Sequence, residues 1–157
     1  MGLADLLHLQ RVHIVPENGL SMAKPVCLEV VARVIAETTA LDGAAVLRVL
    51  RERESLQSTG LGESVAIPHG ALEELEHPVA AMILSRPAID FDAIDGRPVH
   101  IIVGVLSPRR AAGEHLKTLA RISRVLRTQA FRTRLLGATN AAEVLALIVE
   151  KEGAVNP

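Results

Sequence analysis

The chain reads as an α/β domain, a mixed sheet of about five strands flanked by helices on both sides, and three observations lead there. Two short apolar runs, Val79–Leu84 and Val99–Leu106, are bounded by Pro78, Pro87, Pro98 and Pro108, the pattern of strands covered on both faces. Segments with apolar residues at three- and four-residue steps precede and follow them, so strands alternate with helices. With 157 residues and 49% hydrophobic content the chain can bury one sizeable core, and no repeat, low-complexity tract or linker divides residues 1–157.

Taken in order, Arg11-Val12-His13-Ile14-Val15 alternates polar and apolar and meets Pro16-Glu17-Asn18-Gly19, a short strand and its turn. From about Pro25 to Thr38, Leu28, Val31, Ala32 and Ile35 recur at helical steps, and Pro25 is tolerable only in the first turn. Asp42 is the N-cap expected for a second helix, whose apolar face is Val46, Leu47, Val49 and Leu50 and whose end is the charged run Arg51-Glu52-Arg53-Glu54. A polar loop, Ser55 to Gly62, leads into a short strand before His69. The two apolar runs are then the central strands. Between them Ile89 to Arg97 is irregular and ends in an Asp-Gly turn. His115, Leu119, Ile122 and Leu126, with Leu116 and Ser123 alongside, form the buried stripe of the next helix, and further helices are expected at about 129–137 and 141–151.

Composition excludes several functions. The 17 Lys and Arg are offset by 18 Asp and Glu, and with no Trp, no Tyr and two Phe the chain has neither a basic footprint nor stacking platforms for nucleic acid. No apolar run approaches the roughly 20 residues of a bilayer span, and the N-terminal stretch lacks a basic n-region. A cytoplasmic protein without membrane insertion or targeting segment is expected. The single cysteine, Cys27, sits among Val26, Leu28, Val30 and Val31 and is expected to fill core space.

Three residues carry candidate chemistry. In Val65-Ala66-Ile67-Pro68-His69-Gly70, Pro68 lacks an N–H and Gly70 permits φ > 0, so the strand is expected to end where His69 emerges. That corner fits either a histidine positioned for chemistry or a turn with an incidental polar residue. His115 opens a helix and faces the sheet. There the helix dipole favours a phosphoryl group and disfavours imidazolium, while the plainer reading of His115 by itself is a core-edge histidine bonded to a backbone carbonyl. Arg53 lies in a charge run that usually marks a solvated face, but it opens the loop returning to His69, where a guanidinium can grip two phosphoryl oxygens.

The strings Arg53-Glu54-Ser55-Leu56-Gln57-Ser58-Thr59-Gly60-Leu61-Gly62, Val65 to Gly70, Phe91-Asp92-Ala93-Ile94-Asp95-Gly96 and Glu114-His115-Leu116-Lys117-Thr118-Leu119 together resemble the fructose/mannitol-type IIA domain of the bacterial phosphotransferase system. Within it the chain looks most like the nitrogen-regulatory IIA proteins, from Leu3-Ala4-Asp5-Leu6-Leu7 to the final helix. The resemblance implies that His69 accepts a phosphoryl group from an HPr-type carrier. It further implies that His115 is the hydrogen-bonding partner, that Arg53 stabilises the phosphoryl charge, and that Ser58 and Thr59 donate hydroxyl hydrogen bonds to it. No metal or organic cofactor is implied. The chain departs from the family at Ser64, where glycine is usual, at His100 on the long apolar strand, and at Pro25 in the first helix.

Two functions of different class follow: a regulator whose phosphorylation state controls protein binding, and a sugar-specific IIA relaying phosphate to a permease IIB component. The sequence shows no appended permease domain, which favours the regulator. A metal site from His69, His115 and another ligand is the third reading. The six histidines include no His-x-x-x-His pair to support it.

Overall fold

The computed structural model describes residues 2–155 and shows an open mixed sheet between two layers of helices. Helix α1 (Leu3–Leu7) is short, and carboxylates meet its free N–H groups: Asp5 accepts from Gly2 at 2.9 Å, and Glu152 accepts from Leu3 and Ala4 at 2.8 and 3.1 Å. Strand β1 (Val12–Val15) is followed by α2 (Lys24–Glu37) and α3 (Gly43–Leu56). Pro25 lies in the first turn of α2, as its missing N–H requires. Asp42 caps α3 by accepting from the Ala44 N–H at 3.2 Å.

Strands β2 (Gly60–Gly62), β3 (Val65–Ala66), β4 (His69–Leu72), β5 (Val79–Ile89) and β6 (Val99–Pro108) come next. Helices α4 (Ala112–Val125), α5 (Gln129–Leu136) and α6 (Ala141–Val155) close the chain. The sheet order is β1-β5-β6-β3-β2, with β4 also beside β6, so the two long apolar strands are central as expected. They run antiparallel to each other, while β1 is parallel to β5, β3 and β4 are parallel to β6, and β2 is antiparallel to β3. Among the described residues there are six strands rather than about five, because one edge of β6 carries two short strands separated at Ile67-Pro68.

The central strands alternate between two cores. Ala81, Ile83, Ile102 and Leu106 meet α2 and α3 on one face, and Met82, Leu84, Ile101, Val103 and Val105 meet α1, α4, α5 and α6 on the other. Fully buried side chains such as Val46, Leu50 and Ile122 each contribute about 1.5–3 kcal/mol. A Cβ at Gly104 would overlap Val31, so this glycine lets α2 lie close on β6. Leu116, expected beside the buried stripe of α4, is instead 68% exposed: one residue past His115 it is turned away from the sheet. Cys27 is fully buried, and burial pushes its thiol up to about 11, which suits a core filler.

Among the described residues no helix is long and apolar enough to cross a membrane, and no group of three or more His, Cys, Asp or Glu side chains could hold a metal ion.

Candidate active site

The site is built where β3 gives way to β4. Val65 and Ala66 pair with Ile101 and Ile102, and His69 to Leu72 pair with Val105 to Pro108 in the same register. The break at Ile67-Pro68 therefore interrupts a ladder without shifting it. Pro68 has no N–H to give, though its carbonyl still accepts from Val105 at 2.9 Å. The strand does not end at His69, contrary to the sequence expectation; β4 begins there. Gly70 is not among the glycines with positive φ, which are Gly62 and Gly96 among the described residues. Its role is contact: a Cβ at Gly70 would collide with Val49, so α3 can press against β4 beside the histidine.

His69 is half-buried, with Nδ1 2.7 Å from the Ile67 carbonyl oxygen. A carbonyl only accepts, so Nδ1 carries the proton and Nε2 presents a lone pair. Burial lowers the His69 pKa below 6.5; the Ile67 hydrogen bond opposes this, the positive charge of Arg53 adds to it, and the negative charge of Glu54 opposes it. The ring is thus biased toward the neutral, nucleophilic form.

His115, in the first turn of α4, brings its ring centroid to 5.4 Å from that of His69, with the planes inclined at 49°. Burial, then the neighbouring His69, lowers its pKa. Its Nδ1 lies 2.6 Å from the hydroxyl of Ser107, a buried residue near the end of β6. The structure therefore brings together two histidines that are forty-six residues apart in sequence.

Arg53, in the last turn of α3, donates from Nη1 to the Gln57 carbonyl at 2.9 Å and is half-exposed, within electrostatic reach of His69. The charge run containing it is not solvated throughout. Glu54 is buried and continues the Val46, Leu50 stripe of α3. Its carboxylate accepts from the Thr59 N–H at 3.0 and 3.2 Å and from the Thr59 hydroxyl, and it pairs with Lys24 of α2 at 2.6 Å. Lys24 also lies 3.7 Å from Asp92 and 5.0 Å from the Phe91 ring centre. Glu54 and Lys24 escaped the sequence reading. The signal for Glu54 was its place four residues after Leu50, and its charge masked it.

Ser58 and Thr59 belong to this clamp. The Ser58 hydroxyl donates to the Phe91 carbonyl at 2.8 Å and accepts from the Gly60 N–H at 3.0 Å, while the Thr59 hydroxyl donates to Glu54. In this arrangement a phosphoryl oxygen meets either hydroxyl proton only after the hydroxyl turns. Two of the three family departures, Ser64 and His100, are held by hydrogen bonds that involve the main chain. Ser64 takes φ +77° in the β2–β3 turn, and its carbonyl accepts from His100 and Ile101 at 3.0 and 3.1 Å. The His100 ring meets the Ser85 carbonyl through Nδ1 at 2.9 Å.

A neutral imidazole nitrogen beside a second imidazole and a guanidinium can accept an electrophilic, negatively charged group such as phosphoryl. The family model described as the phosphoenolpyruvate-dependent sugar phosphotransferase system, EIIA 2, matches residues 9–151. The chain belongs to this family. The nitrogen regulatory protein of Bradyrhizobium diazoefficiens is 39% identical to this IIA chain over 149 residues, covering 94% of it and 95% of the relative. The crystal structure of nitrogen regulatory protein IIA-Ntr from Neisseria meningitidis superposes with a TM-score of 0.83 at 32% identity, covering 93% of the IIA chain and 98% of that chain. The Escherichia coli complex of enzyme IIAMTL with phosphorylated enzyme IIBMTL shares the IIA fold, at TM-score 0.73 and 20% identity over 92% of this chain and 99% of that one.

Proposed function

We propose that this IIA protein accepts a phosphoryl group on Nε2 of His69 from an HPr-type carrier and acts mainly as a nitrogen and metabolic regulator through phosphorylation-dependent protein binding. The observation that supports the chemistry is the hydrogen bond from His69 Nδ1 to the Ile67 carbonyl, which leaves Nε2 as the nucleophile. Its lone pair attacks the phosphorus of the carrier's phosphohistidine. The P–N bond to the carrier breaks, and its electron pair returns to the carrier's imidazole, whose other ring nitrogen bears the proton that keeps it neutral. His69 keeps its Nδ1 proton, so the ring of the product is positively charged and the Ile67 carbonyl stabilises it. The transition state spreads charge over three equatorial oxygens, and Arg53 and His115 offset that charge by position rather than by covalent chemistry.

Phosphorylation sets a phosphoryl group of about two negative charges on a ring that has become positive, a net gain of about one negative charge around His69 together with three strong acceptor oxygens, enough to change which proteins dock there. The regulatory reading rests on the nitrogen-regulatory relatives, which match over almost their whole length. The sugar phosphotransferase description of the family supports the second reading, relay to a IIB component. The two separate in one experiment: the protein is phosphorylated by a carrier, then offered to sugar-specific IIB proteins and to a cell extract. Regulation predicts partners that discriminate the two phospho-forms and negligible transfer to IIB. Rapid transfer to a IIB protein would reverse the preference.

A further inference from the structure

We propose that Ser107 is a positioning residue of the transfer site: its hydroxyl donates to Nδ1 of His115 and holds that ring in the tautomer with the proton on Nε2. The two histidines meet different kinds of partner. His69 faces a carbonyl, which can only accept, whereas His115 faces a hydroxyl, which can give or take a hydrogen bond.

The surroundings decide which. Ser107 is 2% exposed, and among the described residues its hydroxyl has one partner, His115. The residue opposite it on β4 is Ala71, whose side chain cannot accept a hydrogen bond. Were Nδ1 the donor, the hydroxyl hydrogen would be buried without an acceptor, an arrangement folded proteins avoid. With the hydroxyl donating, its hydrogen is satisfied and the ring proton of neutral His115 must sit on Nε2.

The consequence is a division of labour between two identical side chains. His69 offers a lone pair from Nε2 and His115 offers an N–H from Nε2, so one ring attacks phosphorus while the other donates to a phosphoryl oxygen. Rings in the same tautomer would present two lone pairs, or two donors and no nucleophile. The functional half of this inference rests on His69 being the phosphoryl acceptor; the tautomer half does not.

The test begins with the unmodified protein. Nitrogen-15 spectra of the imidazoles at alkaline pH distinguish protonated from unprotonated ring nitrogens. The prediction is Nδ1–H for His69 and Nε2–H for His115; Nδ1–H on His115 would overturn the proposal without any variant. Ser107→Thr and Ser107→Val then add similar bulk and differ in the hydroxyl. Thr is expected to keep the His115 tautomer, whereas Val mixes it and slows phosphotransfer from the carrier about tenfold relative to Thr. Equal rates and equal tautomers in the two variants would refute the role of the hydroxyl. Labelling that survives in His69→Ala would instead refute the acceptor assignment and leave the tautomer result standing.

Discussion

Glu54 is the residue whose loss the structure makes most costly near the site. Glu54→Ala removes the counter-ion of Lys24 and, in the same step, the acceptor for the N–H and hydroxyl of Thr59. Breaking a buried ion pair costs about 3–5 kcal/mol. Here the side chain of Lys24 stays 17% exposed and lies 3.7 Å from Asp92, so its charge is partly relieved after the substitution. The orphaned Thr59 donors add about 1–3 kcal/mol. The expected loss is about 3–4 kcal/mol, a large share of the stability of an ordinary domain. Glu54→Gln keeps an acceptor for Thr59 and loses only the charge, for about 1–2 kcal/mol. Urea unfolding reads both values, and the pH titration of His69 reads a second consequence: the negative charge of Glu54 raises the His69 pKa, so either substitution lowers it further. A loss below 1 kcal/mol for Glu54→Ala, together with an unmoved His69 titration, would show that the clamp neither holds the loop nor touches the site.

Gly70→Ala should cost about 1–3 kcal/mol by driving a methyl group into Val49, and adding Val49→Ala should recover part of that loss; strictly additive unfolding energies would refute the packing explanation. Ser64→Gly should stabilise the chain by about 1 kcal/mol by releasing a non-glycine residue from φ +77°, as thermal or urea unfolding will show, and a loss of stability would contradict it. Burial lowers the pKa values of His13, His69 and His115 below 6.5, so the folded chain binds fewer protons than the unfolded one. The stability these groups contribute is therefore complete above about pH 6.5 and is lost as the pH falls from there toward their folded values. Replacing all three histidines with glutamine should flatten that part of the urea midpoint profile, and an unchanged slope would refute the assignment.

Much of this architecture was legible because period and punctuation agreed. The helical steps of Leu28, Val31 and Ile35, the Asp42 cap and the two central strands all reappear in the structure. Strand β5, however, runs on through Pro87 to Ile89, after a register shift beyond Leu84, where the sequence placed a boundary and an irregular segment. Strand β4 was not legible: His69-Gly70-Ala71-Leu72 has no apolar alternation, and Gly70 reads locally as a flexible turn when its reason is Val49, twenty-one residues earlier. Strand β2 hides in the same way, since Gly60-Leu61-Gly62 has the composition of a loop and pairs only through its hairpin partner. At the site, His69, His115 and Arg53 stood out through the family resemblance of the strings around them, each being ambiguous by residue type and local pattern alone. The groups that orient them did not: Glu54 looked like one charge among four, and Ser107 is an ordinary serine until α4 folds back and sets His115 against it.

The central claim is that Nε2 of His69 accepts the phosphoryl group. Its most direct test is to incubate the protein with a phosphorylated HPr-type carrier and to locate the phosphate by residue and by ring nitrogen. The account predicts one phosphohistidine, at residue 69, linked through Nε2, and no labelling of His69→Ala. Phosphate on Nδ1 of His69, on His115, or on His69→Ala at the wild-type rate would contradict it.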